Sequence, residues 1–429
     1  LESERVVITG VGVVSPIGTD RESFWQACLA GRSGAVSLEN PAVAGLSSRI
    51  GSPIMGFEPK QQGVPARQVS LLDRTTHFGL AAAHEALTDA GFELTPSAER
   101  RDQLVVEGVD PWRLGSSLGS GIGGITTLEQ THANWIAEHN RTHVKRYALP
   151  MLIPNAVAGQ IAIRFGARAE CKALSTACAA GTMALGEAWR SLSRGEADVM
   201  IAGGAEGVAG DHDGYCMMGF DRLKTMSVRN DDPTRASRPF DKDRDGFVIG
   251  EGSAILVLER ESFARARGAR IYGAISGYAS NCDAHSMMQI DDTGVAIRRL
   301  IESALATAGM SVDDVDHVNA HGTSTLLNDR TEAKVFRELF GARAGEVTVT
   351  AVKSMTGHGI GASGPMESAA LSLSMQRGVI TPTINYETPD PDAEVNLVAN
   401  TPLESRPQLA IKTSYGFGGH NACLVFSAV

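Results

Sequence analysis

A strand–turn–helix plan occurs twice along this chain, and that repeat restricts the possible folds more than any single motif. Arg5-Val6-Val7-Ile8-Thr9-Gly10 reads as a strand, with Ala269-Arg270-Ile271-Tyr272-Gly273-Ala274-Ile275 as its counterpart. Each is followed by a helix with a similar ending, Ala82 through Ala90-Gly91 and Ile297 through Ala308-Gly309. Trp112-Arg113-Leu114-Gly115-Ser116, leading to Gly119-Ser120-Gly121-Ile122-Gly123-Gly124, matches Asp316-His317-Val318-Asn319-Ala320, leading to His321. Finally Ala173 to Thr182 matches Val349 to Gly364; both are short apolar strands that pass through a small-residue turn into a helix. The preserved order argues for duplication rather than chance. Such alternation predicts an α/β fold of layers with buried central strands, divided into halves 1–265 and 266–429. A chain of 429 residues, 43% hydrophobic, has enough apolar material for both cores.

The halves differ in spacing. From Gly91 to Ser175 is 84 residues, whereas from Gly309 to Ser354 is 45. The extra segment, roughly 119–168, includes the apolar, Pro-containing run Leu149-Pro150-Met151-Leu152-Ile153-Pro154, and an apolar insert of this size predicts an interface. The first half also carries 201–253. There Asp241-Lys242-Asp243-Arg244-Asp245-Gly246 mimics a calcium loop but has Gly252 where the closing Glu belongs, so it reads as a structural loop.

Cys178 is the candidate nucleophile. It lies in Leu174-Ser175-Thr176-Ala177-Cys178-Ala179-Ala180-Gly181-Thr182, at the entry to a helix predicted over 183–192. Free N–H groups and the positive helix end would favour a thiolate there, and small neighbours leave room for a substrate. Downstream lie three further motifs. They are Asn319-Ala320-His321-Gly322-Thr323-Ser324-Thr325 with Asn328-Asp329 and Glu332; Val352-Lys353-Ser354-Met355-Thr356-Gly357-His358-Gly359; and Gly416-Phe417-Gly418-Gly419-His420-Asn421. Two histidines and a lysine at expected strand-end loops, with a thiol elsewhere, make a site hypothesis. Gly119, Gly121 and Gly124 also fit a dinucleotide-type glycine pattern. That reading is rejected, because no acidic residue follows at ribose spacing in a βαβ unit.

At these four ordered motifs, and along essentially its whole length, the chain resembles the β-ketoacyl-[acyl carrier protein] synthases. The resemblance implies a thiolase-like fold, two duplicated halves in an α-β-α-β-α arrangement. It implies a decarboxylative condensation: an acyl group moves to Cys178, malonyl-carrier loses carbon dioxide, and the carbanion attacks the acyl thioester. By resemblance, His321 and His358 stabilise the enolate, and Lys353, paired with Glu332, lowers the thiol pKa and supports the histidines. The backbone N–H groups of Cys178 and Phe417 form the oxyanion hole. Phe417 gates the site beside Gly418, Thr323 and Thr325 bond the pantetheine arm, and Ile122 lines the acyl pocket. No cofactor is implied beyond the phosphopantetheine of the carrier, and no metal. The expected partners are an acyl carrier protein and either a second copy of the chain or a chain-length factor. Lys224 and Arg222, with Arg67 and Arg74 as further candidates, would dock the carrier on a local basic patch.

Other features bound this reading. The net charge of −10 argues against a nucleic-acid binder, and no run of eighteen apolar residues spans a membrane. Six cysteines without metal or redox spacing, and no signal pattern in Leu1-Glu2-Ser3-Glu4 (an end without Met that looks processed or tagged), predict a cytoplasmic, stand-alone subunit. A thiolase would need a second cysteine where Phe417 stands, and a non-catalytic chain-length factor would lack Cys178. Departures from the family pattern are Tyr415 for the commoner Phe, His420, a short segment 283–292 and a charged insertion at 93–112. The departures at 93–112 and 280–292 favour a type II polyketide or polyene system over housekeeping fatty acid elongation.

Overall fold

The structure, a computed structural model, describes residues 4–209 and 214–429. The first half runs β1 (Val6–Val14), α1 (Arg74–Asp89), β2 (Leu114–Gly119), α2 (Ile125–Glu138), α3 (Ala156–Phe165), β3 (Cys171–Leu174), α4 (Ala180–Ser193), β4 (Val199–Glu206), α5 (Gly214–Leu223) and β5 (Gly252–Arg260). The second runs β6 (Gly273–Cys282), α6 (Val295–Thr307), β7 (His317–Asn319), α7 (Leu326–Phe340), β8 (Thr348–Thr350), α8 (Lys353–Thr356), α9 (Ser363–Arg377), β9 (Leu409–Gly416) and β10 (His420–Ser427). Shorter elements join these.

The duplication is present in three dimensions. In the first half the strand order is β1-β5-β4-β2-β3, in the second β6-β10-β9-β7-β8. The directions repeat as well: β2 is parallel to β3 and β4, and β7 is parallel to β8 and β9, while the remaining pairs within each half are antiparallel. The expected layers hold, with one refinement. The halves are hydrogen-bonded into one 10-stranded sheet through a short seam, Val6, Val7 and Ile8 of β1 against Ile275, Ala274 and Gly273 of β6. Beyond that seam the sheet wraps over α4 and α9, which pack on each other and touch strands of both halves. Helix α1 covers the outer face of β1, β4 and β5, and α6 covers β6 and β10.

The central layer explains the sequence's small residues. A Cβ on Gly181 would lie 2.3 Å from the Gly361 carbonyl oxygen, so the starts of α4 and α9 meet only because Gly stands there. The two inner helices and the inner faces of both half-sheets share one core, including Leu185, Leu192, Leu256, Met366, Leu373 and Phe426. Burying that surface, at about 25 cal/mol per Å², binds the halves together far more than the seam does.

The insert places α2 and α3 on the outside of the first half, where Trp135, Ile136, Leu149, Ile153 and Ile163 are exposed. The Asp241 carboxylate is taken up by Arg238 and by the N–H groups of Asp243, Glu387 and Thr388, in keeping with a structural loop. Among the described residues, no helix is long and apolar enough to cross a membrane.

Candidate active site

Each half contributes one side of the site. Strand β3 ends at Leu174, and the chain turns through Ala177, whose φ of 49° lies in the left-handed region, before Cys178 leads into α4. A non-glycine residue is held there at some cost, the mark of a turn shaped to present its neighbour. Gly416, at the end of β9, lies against this turn, and a Cβ on it would lie 2.7 Å from the Thr176 carbonyl oxygen. That contact brings the following Phe417 to the sulfur, where the N–H groups of Cys178 and Phe417 both bond toward it.

From the second half, β7 ends just before His321, and the one-turn helix α8 begins with Lys353 and stops short of His358. His358 Nε2 is 3.1 Å from Cys178 Sγ, and its Nδ1 is 3.0 Å from Ser363 Oγ. The Ser363 hydroxyl can donate or accept, so His358 can hold its proton on either nitrogen. The rings of His321 and His358 are 5.6 Å apart. Lys353 Nζ donates to the His321 carbonyl oxygen at 2.6 Å and lies 3.4 Å from His321 Nδ1.

The electrostatics correct two expectations. First, the site does not rest as a thiolate. Burial pushes the Cys178 thiol up to about 12; the Lys353 charge and the two N–H groups oppose this without overcoming it. Burial, reinforced by Lys353, also holds His321 and His358 well below the usual imidazole range. The resting site is thus a thiol beside a neutral imidazole able to take its proton. Second, Glu332 is not the partner of Lys353. Glu332 accepts from the N–H groups of His321 (2.8 Å) and Gly322 (2.7 Å), from Asn328 Nδ2 (2.9 Å) and from the Thr413 hydroxyl (3.2 Å). It anchors the His321 turn, and burial raises its carboxyl to about 7. Lys353 instead pairs with Glu367 on α9, at 2.5 Å and fully buried.

A cavity of about 290 Å³ opens onto these groups, lined among others by Cys178, His321, His358, Phe417, Thr323, Thr325 and Lys224. The Thr323 and Thr325 hydroxyls are 2.9 Å apart. Phe417 faces Phe220, and the flanking Gly418 and Gly419 have φ of 83° and 79°, where glycine alone is at ease. Asp283, Met288, Gln289 and Ile290, from the segment that departs from the family pattern, form part of the wall. Ile122 does not line this cavity but packs in the apolar cluster that includes Cys178, Phe247 and Ile360.

The docking candidates separate. Lys224 and Arg222 are exposed at the end of α5, and Lys224 reaches the cavity. Arg74 is turned inward: its guanidinium holds the buried Glu251 at 2.6 Å and lies over the Phe78 ring, so it is not a docking group. Arg67 is paired with Asp102 and stands away from the cavity lining.

Glu206 escaped the sequence reading. At the end of β4 it accepts from Ser120 Oγ and from the N–H groups of Gly121, Ile122 and Gly361, tying the glycine loop of one half to the His358 loop of the other. It thereby occupies the N–H groups that a phosphate would have used. The signal was present as an acid closing Ala202-Gly203-Gly204-Ala205-Glu206. Glu367, Ser363 and Lys412 were given no role either: Glu367 stands in a helix of small and apolar residues, Ser363 ends the small-residue turn after His358, and Lys412 lies in a strand beside Thr413 and Ser414.

Comparison with known proteins supplies a family. The N-terminal domain of β-ketoacyl synthases matches residues 3–264 and the C-terminal domain residues 272–387. The chain is 37% identical to a 3-oxoacyl-[acyl-carrier-protein] synthase 2 of Synechocystis, covering 99% of this chain and 98% of that one. It is also 37% identical to the tetracenomycin polyketide synthase ketoacyl synthase alpha subunit of Streptomyces glaucescens, covering 99% and 97%. Among solved structures, a type II polyketide ketosynthase in complex with its acyl-carrier protein and bound to a hexaketide aligns over 100% of both chains, with TM-score 0.88 and 31% identity. The ishigamide ketosynthase/chain length factor does so with TM-score 0.87 and 30% identity.

Proposed function

The chain belongs to the β-ketoacyl synthase family and is a 3-oxoacyl-[acyl carrier protein] synthase, and from that premise we propose which of its groups perform each step. The observation that carries the assignment is the 3.1 Å approach of His358 Nε2 to Cys178 Sγ, with His321 beside it. In acyl transfer, the sulfur attacks the thioester carbonyl as the thiol proton passes to His358, and the carrier's thiol leaves with a proton. The tetrahedral oxygen is received by the N–H groups of Cys178 and Phe417. In condensation, malonyl-carrier loses carbon dioxide, and Nε2–H groups of His321 and His358 hold the enolate oxygen. The carbanion attacks the acyl thioester and expels the Cys178 thiolate, which takes up a proton from solvent, and the 3-oxoacyl product leaves on the carrier. Both imidazoles being neutral, each has one N–H to give. Lys353 at the Nδ1 side of His321 favours that proton on Nε2.

Thr323 and Thr325 bind the pantetheine arm at the cavity wall, and Phe417 swings between its glycines to admit the second substrate; Ile122, outside the cavity lining, would meet the acyl chain only on the far side of Cys178, in the apolar cluster they share. Lys224 and Arg222 receive the acidic carrier at the mouth. The chain works in the cytoplasm and pairs with a second copy or a chain-length factor through the apolar insert. Similar solved structures include a ketosynthase with its carrier protein and one with a chain length factor. The curated relatives divide between fatty acid and polyketide names at equal identity. We favour a type II polyketide or polyene system, because the departing segment 283–292 lies in the cavity wall, where chain length is selected. Housekeeping elongation is the second reading.

The test is intact mass of the protein after incubation with an acyl-loaded carrier, followed by malonyl-carrier. An acyl adduct on Cys178 that disappears as 3-oxoacyl-carrier forms is expected. Turnover without an adduct on Cys178 overturns the assignment. Coexpression with candidate partners, reading the mass of the chain held on Cys178, separates the pathways.

A further inference from the structure

Beneath the histidines lies a second buried lysine that the motifs do not include. Lys412, on β9, is fully buried, and its Nζ is 2.8 Å from Glu367 Oε2, while Lys353 Nζ is 2.5 Å from Glu367 Oε1. Lys412 also donates to Ser414 Oγ at 3.1 Å and to the Thr413 carbonyl oxygen. Ser414 Oγ in turn shares a hydrogen bond of 2.8 Å with Thr182 Oγ1, in the first turn of the helix that follows Cys178. Two lysines thus share one carboxylate; burial lowers the Lys412 pKa while Glu367 and Glu332 oppose this, and with both lysines protonated the three groups bear one positive charge that Glu367 does not neutralise. A buried charge is costly, and an apolar strand residue would satisfy the fold at less expense.

We propose that Lys412 is a positioning residue of the active site: by engaging one oxygen of Glu367, it leaves Lys353 to present a net positive charge to His321 and, beyond it, to His358 and Cys178. Lys353 touches His321 directly, so the surplus charge is delivered at the ring. The groups facing Lys412 are Glu367 from α9, Lys353 from α8, Glu332 from α7 and Cys423 from β10. Its charge acts in the same direction on both imidazoles, disfavouring their protonation. A net cation there also stabilises any anion formed in the cavity, whether thiolate, tetrahedral oxygen or enolate. The enolate part rests on the ketosynthase reading; the thiolate part does not, and the experiment uses only the thiol.

Alkylation of Cys178 is followed at pH 8 by mass spectrometry of its peptide, with neutral iodoacetamide and anionic iodoacetate. Lys412→Met leaves the Lys353–Glu367 pair neutral. Loss of a cation raises the thiol pKa, so less thiolate is present at fixed pH. Iodoacetamide should slow about three-fold, the effect of half a pH unit, and iodoacetate should slow further. The double variant Lys412→Met/Glu367→Gln restores a single positive charge on Lys353, and should return both rates to within about two-fold of the parent. Parent rates in Lys412→Met, or equal slowing in the single and double variants, would overturn the proposal in favour of a packing role. If the single variant does not fold, the double variant decides: a parent ratio of iodoacetate to iodoacetamide rates supports the proposal, and a lowered ratio refutes it. Failure of the ketosynthase assay would leave these rates untouched, so the two readings fail separately.

Discussion

The two equivalent units β3–turn–α4 and β8–turn–α9 share a topology and divide the chemistry. The first makes a strained turn at Ala177 and presents a thiol to the cavity. The second inserts the helical turn α8, which carries Lys353 beneath the site and releases His358 beside the sulfur. Their strands differ in kind as well. Strand β8 is covered by its own chain, the N–H of Val349 donating to the Asn396 carbonyl and that of Val398 to the Val349 carbonyl. Strand β3 is left as an open edge with Cys171 and Ala173 exposed. Duplicated scaffolds can thus assign nucleophile and base to different copies, and leave only one copy's edge for assembly.

That contrast can be broken at several points. The largest effect belongs to Cys178→Ser, which should reduce condensation to background because a hydroxyl at the turn is far less nucleophilic; product assay with carrier-bound substrates reads it. Next, His321→Ala and His358→Ala should each slow malonyl decarboxylation by about 10²-fold, the worth of an oxyanion donor. His321→Ala should leave acylation of Cys178 nearly intact, whereas His358→Ala should slow it too, because His358 is the proton acceptor. Carbon dioxide release and acyl-enzyme mass separate the two steps, and equal losses in both variants would refute the division. At the open edge beside the apolar insert, Ala173→Glu should weaken pairing with a second copy or a chain-length factor, read as a shift toward monomer in sedimentation velocity. Unchanged assembly would place the interface elsewhere.

Two smaller effects follow. Lys224→Glu should raise KM for carrier-bound substrate about three- to five-fold, the scale of one exposed charge, and spare a small thioester mimic. The increase should shrink with added salt. With pH, the sign is fixed by burial. Both imidazoles titrate well below 6.5, so they stay neutral as pH falls from 8 to 6, and any acid limb in decarboxylation should come from Glu332, whose carboxyl burial raises to about 7 and which anchors the His321 turn. In Glu332→Gln the rate should change by less than two-fold over this range, and a sharp acid limb near 6.5 in that variant would show that a histidine is charged in the working site.

Much of this was legible because the duplication leaves small-residue turns at matching places, and Gly416 and Gly181 need their small size for contacts that no other residue permits. Both strands that meet at the seam were read from the sequence, but their pairing was not, since β-pairing across 265 residues leaves no local mark. The pairing of Lys353 failed for a related reason. Glu332 is closer to the His321 motif in sequence, but the carboxylate that reaches Lys353 comes from a helix whose other buried residues are small or apolar. Burial also reversed the expected thiol state: a helix start favours a thiolate, but the desolvation of a closed pocket outweighs it.

The shared central layer has a consequence for how the protein is made. Helix α4 needs α9 to cover it, yet α9 emerges from the ribosome long after. At roughly 5–20 residues per second, the stretch from Ser193 to Ser363 takes about 10–30 s to translate. Throughout that interval the nascent first half holds Leu185 and Leu192, joined partway by Leu256, without their final neighbours, a sticky face awaiting its other half. Yield in a cell should therefore depend on chaperone supply and on translation speed across the second half, even for variants whose finished fold is as stable as the parent's.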